Sequence, residues 1–195
     1  IYQYHLKEKK FSTITEEEGK DIVGTLVPFD HQENLTYIND IKHIYELDDQ
    51  TSRLKTVFEC YTDTVISSVS HDEQGHFWIG SNFGLIHYDP VLKSRTLVPT
   101  NLFTEINMVL CDQKGKVWIG VDNMLFAYFI KEQKFVLFGE SNGAIQNEYL
   151  PNARLVNEQG DAYIGGVKGM LRIDGQLLLN TSEMPELQLL DITIN

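Results

Sequence analysis

A stretch of this chain repeats itself after 40 residues, and that repeat constrains the fold more than any other feature of the sequence. One copy reads Ile-Ser-Ser-Val-Ser-His-Asp-Glu-Gln-Gly-His-Phe-Trp-Ile-Gly over residues 66–80 and Gly-Leu-Ile-His-Tyr-Asp over residues 84–89. The next copy keeps the apolar, Asp, Gly and Trp-Ile-Gly positions over residues 106–120. Such a period indicates similar units that pack against one another.

Further copies are recognisable by register. The one over residues 157–174 has Tyr163 in place of tryptophan, and in a degenerate copy upstream Tyr37 takes the tryptophan position. At the start of the chain, Tyr4 precedes Phe11 by the spacing that separates Tyr128 from Phe135. We therefore expect the chain to begin within a unit.

Each copy has a simple physical interpretation. The short apolar stretch and Phe-Trp-Ile-Gly are strands, joined by an Asp-x-x-Gly turn whose glycine allows a positive φ. A second turn at residues 82–84, a third strand and a fourth at residues 96–98 complete four antiparallel strands per unit. This is the pattern of a β-propeller blade, and the tryptophans are expected to pack between neighbouring blades.

We therefore predict an all-β fold of four-stranded antiparallel β-propeller blades, each of about 40–45 residues, forming a fragment of a larger propeller of about seven blades. The predicted units are the end of a preceding blade (1–18), a degenerate blade (19–60), two clear blades (61–102 and 103–145), a closing blade (146–184) and a lead-in strand to a following β-sandwich (185–195).

Composition excludes several classes of function. The net charge of −12, with no Lys/Arg-rich stripe, argues against nucleic acid as a partner. No apolar run is long enough for a membrane helix, and no signal segment opens the chain. Cys60 and Cys111 are expected to be small core residues, and the six histidines form no HExxH-type pair, so we expect no metal and no cofactor.

At the residues quoted above, the repeat resembles the two-component regulator propeller repeat, I-x-x-I-x-x-D-x-x-G-x-x-W-I-G-T-x-x-G-L-x-x-Y-D. The copy over residues 66–89 departs from it only at Val69 and Ser81, whereas the following copy has Met124 at the second glycine. The segments 143–149, 162–169 and 185–194 are similar to the closing blade of such sensors and the lead-in to their β-sandwich.

The resemblance implies a periplasmic sensor domain joined across the membrane to a histidine kinase, often with a receiver and a DNA-binding regulator in one polypeptide. Many such regulators control polysaccharide use in Bacteroidetes. It implies that the partners are an oligosaccharide, the rest of the same sensor chain and a second copy of the parent protein, with contact to the membrane only through the parent.

Propellers usually bind ligands at the end that carries the loops between strands two and three and between successive blades. The candidate ligand-binding residues at that end are Asn82, Phe83, Asp122, Asn123, Asn147 and Lys168, accompanied by Thr64, Glu105, Glu148 and Val167. Amides and carboxylates suit sugar hydroxyls, and the ring of Phe83 suits a sugar face. Alternatively, Asn and Asp occur there because turns favour them.

The leading hypothesis is a non-catalytic sensor in which ligand binding to the propeller shifts a dimer between signalling states. The alternative is a propeller that binds a protein and senses no small molecule. A propeller hydrolase or lyase is a third reading, but no local catalytic signature supports it, so we expect this segment not to be an enzyme.

Overall fold

The computed structural model describes residues 2–16, 27–32, 35–48, 50–61, 63–102, 104–112 and 114–175. Apart from one short 3-10 helix at Glu140–Asn142, the regular elements of these residues are strands, as the all-β prediction requires. They are β1 (Tyr2–His5), β2 (Lys10–Thr13), β3 (Thr15–Glu16), β4 (Val27–Gln32), β5 (Leu35–Asn39), β6 (His43–Asp48), β7 (Arg53–Glu59), β8 (Ile66–His71), β9 (Phe77–Ser81), β10 (Gly84–Asp89), β11 (Ser94–Leu97), β12 (Met108–Cys111), β13 (Lys116–Val121), β14 (Met124–Phe129), β15 (Lys134–Phe138), β16 (Tyr149–Val156), β17 (Ala162–Gly166) and β18 (Gly169–Ile173).

The two clear sequence copies fold into two similar four-stranded sheets. Strands β8 to β11 form one and β12 to β15 the other, each antiparallel with neighbours in chain order. Gly75 and Gly115 adopt φ values of 83° and 86° in their hairpin turns, as the Asp-x-x-Gly pattern predicts. In the second sheet, where Met124 replaces the other glycine, Asp122 takes the positive φ of 48° instead.

The degenerate copy keeps the same register in a larger sheet, with strand order β3-β7-β6-β5-β4. Tyr37 lies opposite Glu46 just as Trp78 lies opposite His87, so the alignment of this copy with the others is confirmed. Strand β3 pairs in parallel with β7, a fifth strand that the repeat did not predict. It uses the outer edge of β7, which would otherwise present unpaired backbone groups.

The first and last described units are smaller. Strands β1 and β2 form a hairpin in which Tyr4 lies opposite Phe11, matching the pairing of Tyr128 with Phe135. Strands β16 to β18 form a three-stranded sheet. The predicted lead-in strand at 185–195 and the end of the closing blade lie outside the described residues, and the blade boundaries as a whole stay a prediction.

The sheets pack face to face, and the tryptophans lie in the layers between them. Trp78 is 3% exposed and contacts a cluster that includes Val109 and Ile119 of the next sheet. Trp118 is fully buried in the following layer with Tyr149 and Ile164. This confirms that the rings fill the space between neighbouring sheets.

The first strands of successive sheets lie side by side, and polar side chains join them. The Ser68 and Ser70 hydroxyls of β8 accept hydrogen bonds of 3.1 and 2.9 Å from the N–H groups of Val109 and Cys111 in β12. Arg154 of β16 donates from Nη2 to the Val69 carbonyl oxygen at 2.6 Å, and burial lowers the pKa of its guanidinium to about 10. Within the described residues, no helix has the length and apolarity to span a membrane.

Candidate functional site

The two sets of loops predicted to form one end of the sheets do meet there. In the β8–β11 sheet, the Asn82 side chain accepts from the Val65 N–H at 2.7 Å and donates to the Asp63 carbonyl oxygen at 3.0 Å. Asn82 lies in the β9–β10 turn, and the other two residues lie in the connection before β8. Asn82 therefore holds the two loops together, a structural role that the sequence did not predict.

Asn147 likewise joins two loops in the last sheet. Its side chain is almost fully buried, accepts from the Lys168 N–H at 2.9 Å and donates to the Gly169 carbonyl oxygen at 3.2 Å. Its own N–H donates to the Asn123 carbonyl oxygen at 3.2 Å. The structure thus brings Asn123, Asn147 and Lys168 together, with the Asn147 amide serving the backbone.

The side chains of the other candidates take no part in the Asn82 and Asn147 hydrogen bonds. Asp122 and Asn123 are both exposed in the β13–β14 turn, and Glu105 and Glu148 are exposed in the connections between sheets. The Lys168 ammonium group donates to the Gln146 carbonyl oxygen at 3.0 Å. Whether any of the six candidates touches a ligand stays a prediction, although the amides of Asn82 and Asn147 are already engaged.

Phe83 and Thr64 line a groove between the degenerate sheet and the β8–β11 sheet. Its volume is about 420 Å³. Two aromatic rings face solvent here, since Tyr61 is 68% and Phe83 54% exposed. The complete lining is Phe58, Cys60, Tyr61, Thr64, Phe83, Ile86, Arg95 and Leu97. The groove therefore combines exposed apolar faces with a few polar groups, the usual composition of a small-molecule site.

Arg95 supplies the charge of this groove. Its guanidinium carbon lies 4.0 Å from the ring centre of Tyr61 and 5.5 Å from that of Phe58. Its Nη1 donates to the Glu59 carbonyl oxygen at 3.1 Å, which fixes the side chain against β7. No carboxylate is among the described lining residues. Arg95 is therefore the charged side chain of the described lining, in a chain of strongly negative net charge.

Tyr61 and Arg95 were missed from the sequence. Both lie outside the strand-two to strand-three turns, Tyr61 in the connection before β8 and Arg95 in the outer strand β11. An aromatic residue three positions before Thr64, in a connection already predicted to face the ligand end, was the available signal for Tyr61. No sequence signal pointed to Arg95, because it reaches the groove only when the folded sheets bring β11 beside β7.

The groove also holds a thiol whose reactivity reports on it. Burial raises the pKa of Cys60 to about 11, and fuller burial raises the pKa of Cys111 as well. With an ordinary thiol pKa of about 8.5, we expect Cys60 to alkylate on the order of a hundredfold more slowly than a free thiol at pH 7.5. Its rate with iodoacetamide should rise about tenfold per pH unit up to pH 9.5.

Mass spectrometry of the alkylated native protein measures both rates, with Cys111 as the internal control that stays unmodified. A Cys60 rate as fast as that of a free thiol at pH 7.5, or one that does not change with pH, would contradict the burial of this thiol in the groove.

At the opposite end of the β8–β11 sheet, one cluster has metal-ligand character. Asp72, His76 and His87 place one ligand atom each within 4.8 Å of one another. Burial, and then the neighbouring His76, lower the pKa of His87. Spacing alone did not reveal this cluster, because Asp72 and His76 lie in the β8–β9 turn whereas His87 lies in β10.

Several solved structures have an architecture similar to that of this chain. The extracellular domain of the proposed hybrid two-component system BT4673 from B. thetaiotaomicron superposes with a TM-score of 0.63 at 17% identity, covering 87% of this chain and 23% of that one. For the corresponding domain of BT3049 from the same organism the values are 0.60, 16%, 86% and 25%. The structure of YCF48 bound to D1 peptide gives 0.62 at 12% identity, covering 84% of this chain and 54% of that one.

The chain has the fold of β-propeller blades. Its structural neighbours include sensor domains of two-component regulators, the class of protein that the repeat resembles. The chain spans about a quarter of the length of those two sensor domains. Neither a protein-family model nor the sequence of a curated protein matches it.

Proposed function

We propose that this chain is part of the extracytoplasmic, periplasmic sensor propeller of a hybrid two-component regulator and that it binds an oligosaccharide. A bound ligand would shift the sensor between signalling states, which a histidine kinase elsewhere in the polypeptide converts into phosphorelay and transcription. The repeat resemblance and the sensor-domain neighbours support the class of protein. The observation that carries the ligand is the groove of Tyr61, Phe83 and Arg95.

The chemistry of the groove suits a sugar. The apolar C–H face of a sugar ring packs on an aromatic face, and two such faces are exposed here. The Thr64 hydroxyl and the Arg95 guanidinium offer hydrogen bonds to ring substituents. Because Arg95 is the charged residue of the described lining, neutral and acidic sugars fit the groove better than cationic ones.

A ligand screen on the full sensor chain tests this proposal. Thermal-shift measurements against neutral and acidic oligosaccharides should find one that raises the melting temperature, because a ligand that binds only the folded state stabilises it. Tyr61→Ala and Phe83→Ala should each weaken binding about tenfold or more, measured by titration calorimetry. Val91→Ala is the control, since Val91 is 87% exposed but lies in the β10–β11 turn, at the other end of the same sheet.

Other outcomes favour the competing functions. A glycan that binds equally well to both groove variants would overturn the groove as its site. A folded chain that binds no glycan but binds a protein segment would favour the interaction propeller, a role for which the peptide-bound YCF48 structure is a precedent. Release of a new sugar product from a bound glycan would instead indicate a hydrolase or lyase.

A further inference from the structure

The cluster at the other end of the β8–β11 sheet joins a turn to a strand. Asp72 and His76 belong to the β8–β9 turn, and His87 lies in β10. His87 Nε2 lies 3.1 Å from His76 Nδ1, and His76 Nδ1 lies 3.8 Å from Asp72 Oδ2. The side chains are partly exposed at His76 and His87 and buried at Asp72. A small ion can therefore reach this cluster from solvent.

The other repeats place different residues at the same positions. In the β12–β15 sheet the equivalent of His76 is Lys116, whose ammonium group lies 2.9 Å from Asp112 Oδ2. In the last sheet the equivalents of His76 and His87 are Asp161 and Arg172, which form an ion pair of 2.7 Å. In both sheets this end thus pairs a carboxylate with a permanent cation.

The Asp72–His76–His87 cluster has a second carboxylate beside it, that of Asp89 in β10, but itself contains no permanent cation. Asp72 Oδ2 lies 3.8 Å from His76 Nδ1, and Asp89 Oδ2 lies 3.6 Å from His76 Nε2. Two imidazoles occupy the places where the neighbouring sheets have Lys116 and Arg172. A bound divalent cation would supply the positive charge that those two side chains supply in their own sheets.

We propose that Asp72, His76 and His87 bind Zn²⁺. Two imidazole nitrogens and one carboxylate oxygen are a ligand set that zinc uses, with a water in the fourth position. Bonds of about 2.1 Å in a tetrahedral site place ligand atoms about 3.4 Å apart. Two of the three separations, 3.1 and 3.8 Å, bracket that value, and the third is no more than 4.8 Å.

Surrounding groups orient these ligands. The indole Nε1–H of Trp78 donates to Asp72 Oδ2 at 2.8 Å, and the N–H groups of Gln74 and His76 donate to Asp72 Oδ1. Asp89 Oδ1 accepts from two backbone N–H groups of its own turn, so Oδ2 faces His76 Nε2. A proton held on Nε2 leaves Nδ1 of His76 able to bind the metal, the arrangement common at protein zinc sites.

Zinc titration of the full chain tests the site. After removal of metal with a chelator, calorimetry with zinc chloride at pH 7.5 should show one ion per chain. His87→Gln should weaken binding about a hundredfold or more, and Asp89→Asn, which changes a positioning residue, about tenfold. His71→Gln is the matched control, because this histidine belongs to the same sheet but not to the cluster.

His76→Lys separates loss of the site from loss of the fold. It copies the Lys116 arrangement of the next sheet, so we expect a chain that melts at a temperature no lower than the metal-free wild type but no longer binds zinc. Zinc binding unchanged in His76→Lys and His87→Gln would overturn the proposal, as would a wild-type chain that binds zinc no more tightly than His87→Gln.

Discussion

Phenylalanine in place of Trp78 should destabilise the chain by about 1.5–3 kcal/mol more than phenylalanine in place of Trp118. The two indoles occupy equivalent positions in adjacent sheets and are both buried, so the loss of volume is matched. What differs is the indole N–H. At Trp78 it donates to the Asp72 carboxylate at 2.8 Å, and its removal leaves a buried charged acceptor with one partner fewer.

The Trp118→Phe substitution removes no such hydrogen bond. Its Nε1 is buried and has no acceptor within hydrogen-bond distance among the described residues, and the equivalent carboxylate oxygen of Asp112 lies 2.9 Å from the Lys116 ammonium group. Phenylalanine therefore removes an unsatisfied buried donor there, which offsets part of the lost packing.

Urea unfolding of both variants in the presence of a chelator measures the difference in the free energy of unfolding. The chelator matters because zinc bound at Asp72 would otherwise stabilise one variant more than the other. Equal destabilisation of the two variants would show that the Trp78–Asp72 hydrogen bond contributes nothing to stability.

Alanine at Gly80 should destabilise the chain by about 1–3 kcal/mol, the usual range for overpacking a core. A Cβ atom built there would lie 2.8 Å from Ile106 Cγ2 and 2.9 Å from Val109 Cγ2, both in the next unit. These are methyl groups of β-branched side chains, which have little rotamer freedom to move away. The glycine of Trp-Ile-Gly is thus required by the close approach of the neighbouring sheet.

Gly139→Ala is the control for this substitution. Gly139 has φ of −113°, and nothing lies within 4 Å of its Cβ position, so alanine should leave the unfolding free energy within about 0.5 kcal/mol of wild type. Thermal or urea unfolding of both variants measures the difference in their free energies of unfolding. A Gly80→Ala chain as stable as Gly139→Ala would mean that the sheets separate easily at this contact.

The repeat made the strands and their register predictable, because period-two alternation and turn glycines are local properties of the sequence. Even the degenerate copy aligned correctly on Tyr37, despite the loss of most defining residues. The strand β3 was not predictable. Its parallel pairing with β7 depends on which edge is free in the folded sheet, and two residues carry no periodicity of their own.

The candidate site was predictable only in part. The end of the sheets that carries it followed from strand order, and two of the residues predicted there, Phe83 and Thr64, line the groove. The groove itself depends on Arg95 and Tyr61, which come together only when β11 packs beside β7. In the Asp72–His76–His87 cluster, both histidines lie at positions that the repeat pattern leaves undefined. The pattern that predicted the fold therefore did not predict the cluster.

The hairpin turns after β8, β12 and β16 share one backbone arrangement, but the side chains at and beside them form an Asp–His–His set, an Asp–Lys pair and an Asp–Arg pair, respectively. Since the turn geometry is set by the Asp or Asn and the Gly, the other positions are interchangeable between units. Mutation can therefore change the chemistry of one blade at a time, and a repeat array of this kind can gain or lose an ion site without passing through an unfolded ancestor.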